Sequence, residues 1–163
     1  MSILKLRCDS LATGGRAVAR DHGRVVFVEG AVAGETVLAE ITVDKGRFLE
    51  ARVLEVVEPS VDRIKPKCSH FGDCGGCSWQ FLSYEAQLRA KKSILEDALR
   101  RVGRLESWPE IEVVSGEPWG FHNRAQFQPP ERAGASWGFF AAGSRRAVEL
   151  RECPILAPEL QGA

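Results

Sequence analysis

Apolar residues from Ser2 to Glu58 fall in short runs punctuated by glycines, the pattern of short strands. Across Glu35–Val43, Val37, Ala39, Ile41 and Val43 point one way while Leu38, Glu40 and Thr42 point the other, which is the alternation of a strand. Arg24–Val28 and Phe48–Val57 are rich in β-branched residues and read as two further strands. Asp21, His22 and Gly23 read as a hairpin turn, because glycine tolerates the positive φ that tight turns demand. Several short strands joined by glycine-containing turns predict a small closed barrel, ended by Pro59 and Ser60.

The period then changes. Ser83 stands where a helix N-cap belongs, with Glu85 in the first turn near the positive end of the helix. Tyr84, Leu88, Leu95, Ala98, Leu99 and Val102 fall on one face at helical spacing, and Gly103 is placed to end the helix. The other face carries Arg89, Lys91, Lys92, Arg100 and Arg101. Beyond it, Ile111–Val114, Asn123–Gln128, Ser136–Ala141 and Arg146–Arg151 read again as strands, with a turn at Gly143-Ser144-Arg145. Trp119, Phe121, Trp137, Phe139 and Phe140 supply aromatic packing for this part, and Pro158-Glu159-Leu160 reads as a first helical turn. The expected fold is mainly β with one long helix: an N-terminal barrel over residues 1–59, then a partial α+β domain over residues 60–163.

Composition narrows the function. Lys and Arg number 22, as do Asp and Glu, so a globally basic nucleic-acid binder is excluded and any such surface must come from local clustering. The chain lacks an apolar run of about 18 residues, so no membrane-spanning helix is expected. Met1-Ser-Ile-Leu-Lys-Leu-Arg7 lacks the apolar core of a signal peptide. Five cysteines without a secretion signal point to the reducing cytoplasm and to metal binding before disulfides.

Three of these thiols, Cys68, Cys74 and Cys77, lie within ten residues, and Cys153 follows far downstream. Four thiolates on one centre suit an iron–sulfur cluster or a structural zinc, and residue chemistry alone does not choose between them. His70, inside the loop, is a substitute zinc ligand. The Gly75-Gly76 pair lets the backbone turn tightly and aim its amides at bound sulfide, which favours the cluster. Cys8 reads as a small buried hydrophobe. His22 reads as a turn residue and His122 as a surface group.

The motifs Glu58-Pro-Ser-Val-Asp-Arg63, Pro66-Lys-Cys-Ser-His-Phe-Gly-Asp-Cys-Gly-Gly-Cys77, Trp119-Gly-Phe-His-Asn-Arg124, Gly138-Phe-Phe140 and Cys153-Pro-Ile-Leu-Ala-Pro158 follow in order. This series resembles the N-terminal part of the RNA (uracil-5-)-methyltransferase family, in its 23S-rRNA-modifying branch. The resemblance implies that the barrel is a TRAM domain, an OB-like RNA-binding module. It implies a [4Fe-4S] cluster on Cys68, Cys74, Cys77 and Cys153, and 23S rRNA as partner. It also implies a further S-adenosylmethionine-binding domain with the catalytic cysteine and base. This chain ends before that domain, so it is expected to bind RNA without methylating it, and no catalytic residue is assigned.

On the barrel, Arg16, Arg20, Arg24, Lys45 and Arg47 are candidates to hold phosphates, with Phe48 stacking on a base or, as a strand residue, joining the core. Arg124 matches a family position that faces RNA or supports the cysteine loop. Residues 1–59 hold eight Lys and Arg against nine Asp and Glu, so RNA affinity should be modest and salt-sensitive. Two alternatives come from other classes: a stand-alone iron–sulfur electron carrier or redox sensor, and a zinc-stabilised nucleic-acid binder.

Overall fold

A computed structural model of the chain describes residues 2–129 and 137–161. Five strands close into a barrel: β1 (Ile3–Leu11), β2 (Ala17–Asp21), β3 (Arg24–Glu29), β4 (Thr36–Asp44) and β5 (Phe48–Glu58), in the order β1-β2-β3-β5-β4. Strand β4 pairs with both β1 and β5, which closes the ring, and β3 runs parallel to β5. Alternation sets the interior. Leu6 and Cys8, Ala17 and Ala19, Val26 and Val28, Val37 and Ala39, and Leu49 and Ala51 point inward and are buried. Three of the strands contribute alanines, because a five-stranded barrel has little room inside. Cys8 lies in this core, where burial foremost, helped by the negative charge of Glu35, pushes its thiol up to about 11.

The β2–β3 hairpin turns through His22 (φ 45°) and Gly23 (φ 84°). Both central residues are left-handed, the conformation whose twist matches the flanking strands. The glycine was legible as a turn signal; the strain accepted by His22 was not.

Helix α1 spans Tyr84–Arg101, directly after Ser83. Its expected apolar face is not buried: Ala86 is the one buried residue of the helix, and Val102 is 83% exposed. Gly103 does end it, but by another route. A β-carbon there would sit 2.7 Å from the Leu99 carbonyl oxygen, and the left-handed residue is Arg104 (φ 53°).

Two further strands, β6 (Gly138–Phe140) and β7 (Ala147–Glu149), form an antiparallel pair. They lie within the stretches expected from the sequence, although Ser136 falls outside the described residues. Ile111–Val114 and Asn123–Gln128 are not strands: the first makes no ladder, and the second has only an isolated bridge from Gln128 to Gly138. Pro158–Leu160 is a single 3-10 turn.

The chain divides into two compact units, Met1–Arg63 with Glu85–Val113 and Ile64–Tyr84 with Val114–Ala163. The helix thus groups with the barrel, although the cysteine loop lies between them in sequence. Among the described residues no helix is long and apolar enough to cross a membrane.

Candidate nucleic-acid interface and thiol cluster

On the barrel, the residues between the inward positions face outward. Val25 and Phe27 on β3 lie beside Phe48 and Glu50 on β5, paired in register Val25 to Phe48 and Phe27 to Glu50. The rings of Phe27 and Phe48 meet edge to face with centroids 5.4 Å apart. Phe48 is therefore not a core residue; the core takes its neighbour Leu49. The Arg16 guanidinium stands over the Phe27 ring at 5.6 Å, and its Nη1 lies 3.2 Å from Glu50 Oε1.

This aromatic pair lines a groove of about 790 Å³ within the barrel–helix unit. Arg16, Arg20 and Arg47 line it too, and Ile94, Ala98 and Val102 of the helix side form part of its wall. Four of the expected RNA-facing residues, Arg16, Arg20, Arg47 and Phe48, are thus brought together. Arg24 and Lys45 do not line this groove; the Arg24 Nη2 donates to Asp44 Oδ1 at 2.5 Å, which spends part of its charge. Arg124 lies in the other unit and is exposed. Phe27 was missed from the sequence, although its place between inward Val26 and Val28 marks it as an outward aromatic.

The cysteine loop is held by short backbone bonds. The Cys74 amide donates to the His70 carbonyl at 2.9 Å and the Cys68 amide to Gln80 Oε1 at 3.0 Å. The two glycines divide the work. Gly75 donates to the Phe140 carbonyl at 2.9 Å, so its amide is not free for sulfide; Gly76 donates to Cys74 Sγ at 3.4 Å. Neither glycine has positive φ. What demands Gly75 is close approach, since a β-carbon would meet Phe140 O at 2.9 Å.

All four candidate thiols are free and half-buried. Burial pushes the thiols of Cys74, Cys77 and Cys153 up, and neighbouring thiolates push further: Cys68 and Cys153 on Cys74, Cys74 and Cys68 on Cys77, Cys77 and Cys68 on Cys153. Opposing amides face the sulfurs, from Gly76 at Cys74 and from Ile155 and Leu156 at Cys153. Among the described residues no group of His, Cys, Asp or Glu is arranged to hold a metal ion as it stands. Four thiols, with the Gly76 amide donating to Cys74 Sγ, are the donor chemistry that a tetrathiolate centre would require. His70 does not offer its Nε2 to it, because that atom accepts the Arg151 amide at 3.1 Å.

The aromatics of this unit pack less than expected. Phe139 stacks on Phe127 at 5.2 Å and Lys67 stands over Trp119 at 5.0 Å, but Phe121, Trp137 and Phe140 are exposed. The His122 ring, also exposed, lies against Phe121 at 4.7 Å.

Comparison with known proteins gives three findings. Residues 8–54 match the TRAM domain family. The chain is 39% identical over 157 residues to the 23S rRNA (uracil(1939)-C(5))-methyltransferase RlmD of Aromatoleum aromaticum, covering 94% of this chain and 36% of that protein. It is 37% identical over 159 residues to an uncharacterized RNA methyltransferase of Thermosynechococcus vestitus, covering 96% of this chain and 35% of that protein. The chain thus spans about a third of the length of the curated relatives it matches. Its fold resembles, with a TM-score of 0.61 and 22% identity, the Pyrococcus abyssi tRNA (uracil-54, C5)-methyltransferase crystallised with S-adenosyl-L-homocysteine, over 95% of this chain and 33% of that one.

Proposed function

We propose that this TRAM-containing chain, homologous to RNA uracil-C5-methyltransferases, is the RNA-recognition portion of such an enzyme and acts on 23S rRNA in the cytoplasm. The observation that carries the reading is the outward Phe27–Phe48 pair on a TRAM barrel, set among Arg16, Arg20 and Arg47. A π-face beside cations is the pattern that holds bases and phosphates of unpaired RNA. Arg24 and Lys45 add cationic contacts on the barrel, and Arg124, in the other unit, is a separate candidate contact to RNA.

Methylation at a ring carbon requires a thiol nucleophile, a uridine turned out of its stack and a methyl donor. This chain's part is to bind and orient the RNA; S-adenosylmethionine and the catalytic groups belong to the complete enzyme. A [4Fe-4S] cluster would be held by Cys68, Cys74, Cys77 and Cys153, where it would supply a crosslink between the loop and the β7 exit and no redox step. The Gly76 amide that donates to Cys74 Sγ supports that reading.

A gel-shift titration with 23S rRNA fragments tests the recognition role. Binding that weakens linearly in log salt is expected, and its absence would favour the electron-carrier alternative. Anaerobic purification tests the centre. A brown protein with iron and sulfide is expected, bleached in Cys153→Ser; a colourless protein carrying zinc would overturn the cluster.

A further inference from the structure

The groove beside the aromatic pair has a second wall. Ile94, Ala98 and Val102 recur at every fourth position along the helix side and line the groove together with the barrel residues. Ile94 is half-buried, while Ala98 and Val102 are exposed, Val102 keeping 83% of its surface open. The first wall is aromatic and the second aliphatic, and Asp9, Ser10 and Thr13 also line the groove.

Charge at the groove is unequal once pairs are removed. Glu50 is held by Arg16, and Asp97 by Arg101. Arg20 and Arg47 form no ion pair among the described residues and face only Asp9 as a lining acid without an arginine. The volume, about 790 Å³, falls in the range of roughly 300–1,000 Å³ typical of clefts that enclose small organic groups. Two apolar walls with free guanidinium groups at the side match a flat heterocycle on an anionic strand.

We propose that this groove is a slot for one unpaired nucleobase of single-stranded RNA, stacked on Phe48 with Phe27 holding that ring edge to face, beside Ile94, Ala98 and Val102, with adjoining phosphates on Arg20 and Arg47. The inference rests on the RNA-recognition reading and makes the helix a part of the binding site. A base locked in a duplex cannot enter, so the slot selects unpaired segments of a folded RNA.

The test uses the full chain and an oligoribonucleotide carrying 2-aminopurine at one position, single-stranded or annealed to its complement. Binding of the single strand should quench the probe, and the duplex should bind at least about tenfold more weakly. Phe27→Ala and Ile94→Asp should abolish the quenching and weaken single-strand binding by about tenfold. Val102→Asp, at an exposed position that folding does not depend on, should do the same. Salt-sensitive binding without quenching, equal binding of the duplex, or quenching that survives these substitutions would overturn the slot and leave the recognition reading standing. No binding of either RNA would overturn that reading itself, and the slot with it.

Discussion

The Arg63 guanidinium grips the buried Glu35 carboxylate with two bonds, Nε to Oε1 at 2.5 Å and Nη2 to Oε2 at 2.8 Å. Glu35 is fully buried at the start of β4. Its remaining lone pairs accept the Val32 amide at 2.8 Å and the Ser60 amide at 3.3 Å. A third Arg63 bond, from Nη2 to the Gly30 carbonyl at 2.7 Å, ties the segment after β5 to the β3–β4 loop. The pair locks the barrel where the chain leaves it. Removing one partner strands the other, so Arg63→Ala should destabilise the barrel by about 3 kcal/mol, read as a lower urea midpoint. A loss under about 0.5 kcal/mol would make the pair a surface contact.

The same pair sets an acid limit. Burial raises the Glu35 carboxyl, but the Arg63 hydrogen bond and charge and the two amides outweigh it, so it ends below its ordinary 4.5. A depressed carboxyl stabilises the fold fully above the unfolded value and loses that contribution as pH falls through the folded one. The stability gap between the native chain and Glu35→Gln should be constant above about pH 5 and close as the pH drops further below 4.5. Thermal melts across pH 3 to 7 read this; a gap that widens in acid would contradict it.

Gly75 is fixed by contact and not by φ. Its alanine variant would press on Phe140 O and on the Ala142 backbone at 3.0 Å, and break the Gly75–Phe140 bond. Gly75→Ala should lower the iron retained after anaerobic purification several-fold, while the barrel melts as before. Unchanged iron content would show that the loop absorbs the extra methyl group.

How far the sequence carried these features depends on what each rests on. Period-two alternation placed β4 and runs of β-branched residues placed β3 and β5, because one face of each is buried against the others. The grouping of Cys68, Cys74 and Cys77 was legible because they lie within ten residues of one another. The helix was legible as a helix but its burial was not: amphipathic spacing announces an apolar stripe without saying whether anything covers it, and Leu95 and Val102 remain exposed. Asn123–Gln128 looked like a strand from its residues, yet a strand exists only where a partner ladder does. Gly75 was credited with a turn, whereas its role comes from Phe140, more than sixty residues away in sequence and invisible to local reasoning. Arg63 appeared only as a motif residue, because its partner Glu35 is distant along the chain.

The barrel face separates two kinds of contact. Arg47→Ala removes a phosphate contact and should weaken all RNAs alike while reducing the salt slope by about one. Phe48→Ala removes a stacking face and should weaken binding by about tenfold with the slope unchanged. Fluorescence anisotropy at several salt concentrations distinguishes them; equal slopes in both variants would contradict the assignment.

The most direct test is photo-crosslinking of a 4-thiouridine-substituted 23S rRNA fragment to the intact chain, followed by mass mapping of the adducts. Adducts should concentrate in the peptides of β3 (Arg24–Glu29) and β5 (Phe48–Glu58), and in the C-terminal turns of α1. Adducts confined to residues 137–161, or none above background, would contradict the barrel face as the place where RNA is held.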